Sequence, residues 1–513
     1  MSSEPKTTTG VETVAATGAT TSSDPFATPA SSRPSSLRPR TATSTLSSAS
    51  ASRTPSEVFT PVLTPRSILN PPSSRYSTAP APPAPKPKVA RMRSHMLSEK
   101  NPMLKPWNDV KNPRATFSYY LTYAILFIGA AAGAVRCYFG YKGVRMDKKP
   151  LCLVFEENFD NPETVFGEGG SFFREVNMDG FGNGEFSMAT ASQNNSFVQD
   201  GKLYIVPTLT SDSIGHDAVF DGAVYNITGC TFNTTRPDNG HVIRDGQRVF
   251  DWDAYRRSCS MVSNSTAGTI INPVQSARLT TRYSASIKYG RVEVRAKMPE
   301  GDWMWPAIWM LPRDEVYGPW PLSGEIDIVE SRGNGLRYTA RGSNYVQGTL
   351  NWGPTPNLNG ASKSYSWWTE KRRRFNEGFQ TYALEWTEDW LRIYVDTRLH
   401  TLLDIRFNKP FFQRGDFPPV IFNGSDLVAL QNPWINGTNA TPFDQEFFLI
   451  LNVAVGSTNG WFPEVQGDKP WLDRAENPMR DFAKAQSQWY PTWPSTAEQR
   501  GMVVDYVKMW KHC

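Results

Sequence analysis

The stretch Gly324-Glu325-Ile326-Asp327-Ile328-Val329-Glu330-Ser331 constrains this chain more than any other. Three carboxylates fall within six positions, and β-branched residues separate them. A solvated acidic cluster has no need of such spacers, so the run reads as a buried or half-buried strand. Side chains alternate along a strand, which sends Glu325 and Asp327 to one face and gives Glu330 the wrong parity. One β-bulge between Asp327 and Glu330 returns the third acid to the shared face, and bulges cluster beside active sites. Three acids in one groove can divide two tasks: one stays ionised as a nucleophile while another keeps a proton to donate. The competing reading is an edge strand with solvated carboxylates, and spacing alone leaves both open.

The surrounding sequence is punctuated into short strands. Val292, Val294 and Ala296 alternate within residues 290–298, and residues 391–396 repeat the pattern. Residues 447–453 read as a strand buried on both faces, and residues 153–155, 201–206 and 503–510 complete the set. No long amphipathic helix competes with them after residue 150. Such spacing predicts an all-β domain over 150–513, a sandwich of two antiparallel sheets. Enlarged loops are expected over 161–182, 208–250 and 356–378. The last contains the basic run Lys371-Arg372-Arg373-Arg374, read as a solvated loop.

Several segments in order carry a resemblance. Residues 324–334, GEIDIVESRGN, are preceded by Trp303-Met304-Trp305-Pro306-Ala307-Ile308-Trp309 and by Asn183-Gly184-Glu185. Tyr382-Ala383-Leu384-Glu385-Trp386 and Asn452-Val453-Ala454-Val455-Gly456 follow. Together these resemble glycoside hydrolase family 16, in its laminarinase and β-1,3-glucan-recognition branch. The resemblance implies a concanavalin-like β-jelly roll with sugar lying across one sheet. It implies that Glu325 is the nucleophile, Glu330 the acid/base and Asp327 the residue that tunes both. Asn183, Glu185, Trp305, Trp309 and Asn351 become substrate-binding candidates. The implied activity is that of a retaining β-glucanase on β-1,3-glucan, with mixed β-1,3/1,4- or β-1,6-branched chains also open. Transglycosylation in cell-wall glucan assembly, or glucan binding without turnover, are the alternatives. Members of the laminarinase branch often carry His where this chain has Asn351 and Gln380. Asn and Gln keep hydrogen-bonding capacity but not the charge.

Sixteen of the 17 Trp lie after residue 138. Trp352, Trp461 and Trp471 occur among Gly and Pro, a context that suggests loops. Indole faces stack on apolar pyranose faces, so these three join Trp305 as expected sugar platforms.

The N-terminal part differs in composition. Residues 1–116 hold 15 Lys or Arg against 6 Asp or Glu, so the remainder of the chain is slightly acidic despite the overall charge of +5. That distribution argues against a nucleic-acid partner for the folded part. The Ser/Thr/Pro-rich tail cannot bury enough surface to order itself and is expected to be disordered. Residues 117–138 are expected to be a transmembrane signal anchor, since Phe117 to Val135 hold no charge and 19 helical residues span about 28 Å. The lipid bilayer is thus one expected partner and β-glucan the other. Seven Asn-x-Ser/Thr sequons follow the span, at Asn194, Asn226, Asn233, Asn264, Asn423, Asn436 and Asn439, and none precedes it. They favour a type II topology in the endoplasmic reticulum, Golgi or plasma membrane, with the large domain lumenal or extracellular. Cys152, Cys230, Cys259 and Cys513 are then disulfide candidates. Four thiols allow three connectivities; Cys230–Cys259 would close a local loop and Cys152–Cys513 would join the domain ends. No Cys/His spacing suggests zinc, so no catalytic metal and no required cofactor are expected; a structural calcium ion stays open.

Overall fold

The computed structural model describes residues 105–106, 111–167, 169–235 and 237–513. Most of the tail expected over 1–116 lies outside the described residues. Two units divide the described chain, one within Ala30–Arg145 and one over Met146–Cys513.

In the first unit a single helix runs from Pro113 to Gly143. Its start is written in the sequence. Asn112 accepts the backbone N–H groups of Arg114 and Ala115, and Pro113 occupies the first turn, where its missing N–H costs nothing. At 31 residues it is about 46 Å long. It is the one helix among the described residues long and apolar enough to cross a membrane. All of its residues are exposed.

The second unit is built on two eight-stranded antiparallel sheets. One runs Thr401–Arg406, Trp390–Val395, Gln380–Trp386, Gly290–Lys297, Met502–His512, Lys202–Ile205, Ser196–Gln199, with Leu151–Glu157 also paired to Met502–His512. The other runs Tyr365–Thr369, Tyr345–Asn351, Glu325–Ser331, Met304–Pro312, Phe447–Val455, Arg278–Thr280, Phe173–Glu175, with Ser286–Ile287 also paired to Phe447–Val455. We call this second one the acid sheet. Alternation sorts the residues. Val292, Val294, Leu384, Ile393, Val507 and Met509 enter a shared core with Ile308, Met310, Ile326, Leu449 and Leu451 of the acid sheet. All of these are fully buried, each worth roughly 1.5–3 kcal/mol of apolar transfer. The result is the two-sheet sandwich expected from strand spacing, in the jelly-roll form that the resemblance implied.

Two of the expected loops contain strands. Tyr365–Thr369, inside 356–378, adds to the edge of the acid sheet, and Phe173–Glu175, inside 161–182, pairs with Arg278–Thr280. Both are short and aromatic or charged, so their periodicity is too brief to separate them from a loop by sequence. The 208–250 region folds into short helices and the hairpin His241–Arg244/Gln247–Phe250 over a small core of its own, which includes Ile227, Phe232 and Ile271.

Of the three connectivities open to the four cysteines, the structure has Cys230–Cys259 with Cys152–Cys513. Cys230–Cys259 clips this insert with a Cα–Cα distance of 5.5 Å. Cys152–Cys513, at 5.2 Å, joins the first strand to the end of the last. Cys137 is free and exposed. The sequon residues Asn194, Asn226, Asn233, Asn264, Asn436 and Asn439 are exposed; the side chain of Asn423 lies outside the described residues.

Candidate active site

The strand Glu325–Ser331 carries the bulge that parity demanded. Asp327 pairs with Trp309 and Glu330 with Ala307, while Val329 pairs with Ile308, so one residue is extra between them. The same shift appears on the other side, where Asp327 pairs with Thr349 and Glu330 with Gln347. Ile326, Ile328 and Val329 all face the core. Glu325, Asp327 and Glu330 all line one cavity of about 450 Å³ on the opposite face. Gly324 opens the strand at φ +79°, and a Cβ there would press on the Phe443 ring at 3.0 Å, so glycine alone seats the first acid without strain.

No cation forms an ion pair with these three acids among the described residues; uncharged N–H groups hold them instead. The Trp320 indole donates to Glu325 Oε2 at 2.9 Å. Asn351 Nδ2 bridges Glu325 Oε1 at 2.9 Å and Asp327 Oδ2 at 2.8 Å. Asn359 donates to Asn351 Oδ1 at 2.7 Å, which fixes that amide's orientation. Glu330 accepts from the Trp305 indole at 3.0 Å on Oε1 and from Gln347 at 3.2 Å on Oε2. Gln347 is itself held by the Tyr345 hydroxyl at 2.9 Å, and Tyr345 by Arg341 at 2.8 Å.

Burial raises all three carboxyls, since a charge in a cavity loses its water. Glu330 is pushed up to about 7, with the Trp305 bond opposing the rise. Asp327 is raised well above the carboxylate range by burial and then by the charges of Glu325 and Glu330. Glu325 is raised by burial and drawn back by its hydrogen bonds to Asp327 and Trp320. A fourth acid, Glu185, lines the same cavity and is pushed to about 7 by burial, with Arg278 opposing. Arg278 pairs with buried Glu175 at 2.8 Å and lies 4.7 Å from the Trp309 ring.

Of the other residues singled out in the sequence, Asn183, Trp305, Trp309 and Asn351 line the cavity. Asn183 donates to Glu185 at 3.3 Å, and Trp309 donates to Asn452 at 2.7 Å. Gly184, at φ +63°, has no room for a Cβ beside Thr458. Trp461 lies one layer below, buried and stacked on Trp305 with centroids 4.9 Å apart and planes at 14°. The guanidinium of Arg332 supports it from 4.1 Å.

Trp352 and Trp471 are core residues and do not line the cavity. The Trp352 indole donates to Ser364 at 2.7 Å and packs against Phe411 and Trp434. Trp471 donates to the Ser457 carbonyl at 2.8 Å and packs against Phe186, Trp303 and Phe482. Each N–H finds an internal acceptor, which lets the ring bury completely. Gln380 begins a strand of the facing sheet, away from the cavity lining.

Trp320, Gln347, Arg278 and Phe181 were not singled out by sequence, and Asn452 stood there only in a strand motif with no role given to it. Trp320 sits in Gly-Pro-Trp-Pro, a turn context like that of Trp352, so its signal was available but not distinctive. No group of three or more His, Cys, Asp or Glu suited to a metal ion occurs among the described residues.

An antiparallel sandwich with a bulged acidic strand and a neutral-donor shell defines a carbohydrate-hydrolase class of site. The pattern described as Glycosyl hydrolases family 16 matches residues 246–413. The beta-1,3-glucan-binding protein of Penaeus monodon is 38% identical over 370 residues, covering 70% of this chain and 90% of that protein. The beta-1,3-glucan-binding protein 1 of Galleria mellonella is 28% identical over 373 residues, covering 70% of this chain and 63% of its own length. A glucan endo-1,3-beta-glucosidase A1 of Niallia circulans is 36% identical over 181 residues, covering 35% of this chain and 22% of that protein. Among solved structures, the laminarinase from Rhodothermus marinus is 24% identical and covers 72% of this chain and 100% of that one, with a TM-score of 0.41. The chain belongs to glycosyl hydrolase family 16.

Proposed function

We propose that the folded domain is a retaining endo-β-1,3-glucanase in which Glu325 is the nucleophile and Glu330 the acid/base. The observation that carries this reading is the convergence of three carboxylates, Asp327 and Glu330 buried and Glu325 half-buried, with uncharged donors around them, on one cavity. Glu325 attacks the anomeric carbon as the glycosidic C–O bond breaks, and Glu330 gives its proton to the leaving oxygen. Water then attacks the glycosyl-enzyme, passes a proton to Glu330 and releases Glu325. Burial keeps Glu330 protonated up to near neutral pH, as the first step requires. Asp327 contributes a hydrogen bond to Glu325 and negative charge between the two. Trp305 and Trp309 offer sugar-facing indole surface.

The helix Pro113–Gly143 supports a single-pass anchor. With the sequons all beyond it, the reading is type II: residues 1–116 cytosolic, residues 150–513 in the lumen or outside. β-Glucan is the proposed polymer partner, in line with the names of the relatives.

A second reading, glucan binding without turnover, is favoured by the names of the Penaeus monodon and Galleria mellonella relatives. Incubating the full chain in detergent with soluble β-1,3-glucan separates the readings by product size. Shorter chains are the expected outcome. Longer chains would assign transglycosylation, and retained binding with an unchanged size distribution would assign a lectin-like role.

A further inference from the structure

We infer that Tyr365 and Trp367 form a distal sugar subsite that carries the glucan chain over the edge of the acid sheet; the inference rests on the glucanase reading. Neither residue lines the cavity, whose boundary on this side is Thr349 and Asn351. Yet Tyr365 pairs with Thr349 and Trp367 with Gln347 across an antiparallel ladder. Directly paired residues point to the same face, with Cβ atoms about 5 Å apart. Thr349 lines the cavity and Gln347 holds Glu330, so the two aromatics stand on the same face one strand further out. Trp368 supplies the control: it points the other way and packs on the core and the His400 ring. The edge strand lies two strands from Glu325–Ser331, or about 10 Å.

The pair is exposed but ordered. Tyr365 and Trp367 are 41% and 42% exposed, and their rings stack with centroids 5.9 Å apart. Arg341 lays its guanidinium 4.0 Å from the Trp367 ring while donating to buried Tyr345. Two large aromatics held in fixed orientation at the surface, with guanidinium donors beside them, suit a ligand that offers both C–H faces and hydroxyls. The continuous sheet face names that ligand as the same glucan chain whose reacting ring sits at the acids. A cavity of about 450 Å³ encloses only a short piece of such a polymer, so the rest must cross the surface beyond it.

The test uses the full chain in detergent with Tyr365→Ala, Trp367→Ala and Trp367→Phe. Turnover is measured on soluble β-1,3-glucan and on a β-1,3-linked trisaccharide, and mobility is followed in native gels containing the polymer. In Trp367→Ala the ratio of kcat/KM for polymer over trisaccharide should fall about ten-fold, through KM, by analogy with stacking of bases on aromatics. Tyr365→Ala should fall in the same direction, and Trp367→Phe should keep most of the preference. Polymer retardation in the gel should weaken in parallel. An unchanged ratio in both alanine variants, or an equal loss on both substrates, overturns the subsite. If the parent cleaves neither substrate, the glucanase reading fails by itself, and the gel alone decides the subsite: unchanged retardation in the variants overturns it.

Discussion

The three acids at the centre of the cavity and the acids on the outer face of the other sheet are held in opposite ways. On the sheet containing Gly290–Lys297, several outward acids meet cations. Glu293 pairs with Arg291, Asp505 with Arg295, and Glu385 with both Arg392 and Arg398. Glu156, paired with Lys508 at 2.8 Å, has its carboxyl held below the ordinary value by that bond. On the acid sheet, Glu325, Asp327 and Glu330 face indole and amide N–H groups instead. A cation locks a carboxylate in its charged form. A neutral donor orients it and leaves its protonation to burial and to its neighbours. The same strand alternation thus yields a salt-bridged surface on one sheet and a titrating site on the other.

The contrast can be tested through stability first. Glu185 has its folded value raised to about 7 by burial, from an ordinary 4.5. A raised carboxyl contributes stability that is complete below the unfolded value and lost as pH rises through the folded one. Glu185→Gln should therefore stabilise the domain at pH 8 by about 1–3 kcal/mol, with the gain vanishing near pH 4. Denaturant unfolding at the two pH values checks this, and a variant less stable at pH 8 would break the contrast.

A shift in the pH profile comes next. The Trp305 indole bond lowers the affinity of Glu330 for its proton. Trp305→Phe removes that donor, so the alkaline limb of kcat/KM should move upward, by about half a pH unit to one unit for a bond worth about 1 kcal/mol. A downward shift would contradict the assignment of that limb to Glu330.

The smallest effect belongs to the opposite face. Arg295→Gln breaks the half-exposed pair with Asp505 and should cost less than about 1 kcal/mol, screened further by salt. Its activity profile should stay that of the parent. A larger loss, or a shifted pH optimum, would mean that the two faces are coupled.

These differences were unevenly legible in the sequence. The bulge followed from parity alone, because Asp327 and Glu330 cannot share a face without it. The two-sheet core followed from alternation in residues such as Val292, Val294 and Ala296. The donor shell was harder. Asn351 stood next to Trp352 in the sequence, and only the strand register sends one to the acids and the other to the core. Gly/Pro context marked Trp352 and Trp471 as turn residues but carried no information on which way an indole points. Arg278 reaches the cavity from a segment distant in the sequence, and Trp320 folds back from the turn just before Glu325, so the approach of each is decided by tertiary packing. The strand Tyr365–Thr369 was hidden in a presumed loop, and with it the aromatic pair at the sheet edge.

The central claim, that neutral donors around buried acids make Glu330 a proton donor and leave Glu325 to attack, is tested most directly by azide rescue. Glu330→Gln and Glu325→Gln are compared on an activated aryl β-glucoside of the oligosaccharide, whose leaving group needs no proton. Glu330→Gln should still form the glycosyl-enzyme and then stall, with turnover lower by about 10²–10⁴. Azide should restore its turnover and give the β-glycosyl azide, because two inversions preserve configuration. Glu325→Gln should form no glycosyl-enzyme and yield no β-glycosyl azide. An α-glycosyl azide from Glu330→Gln, or identical behaviour of the two variants without any azide response, would contradict the account.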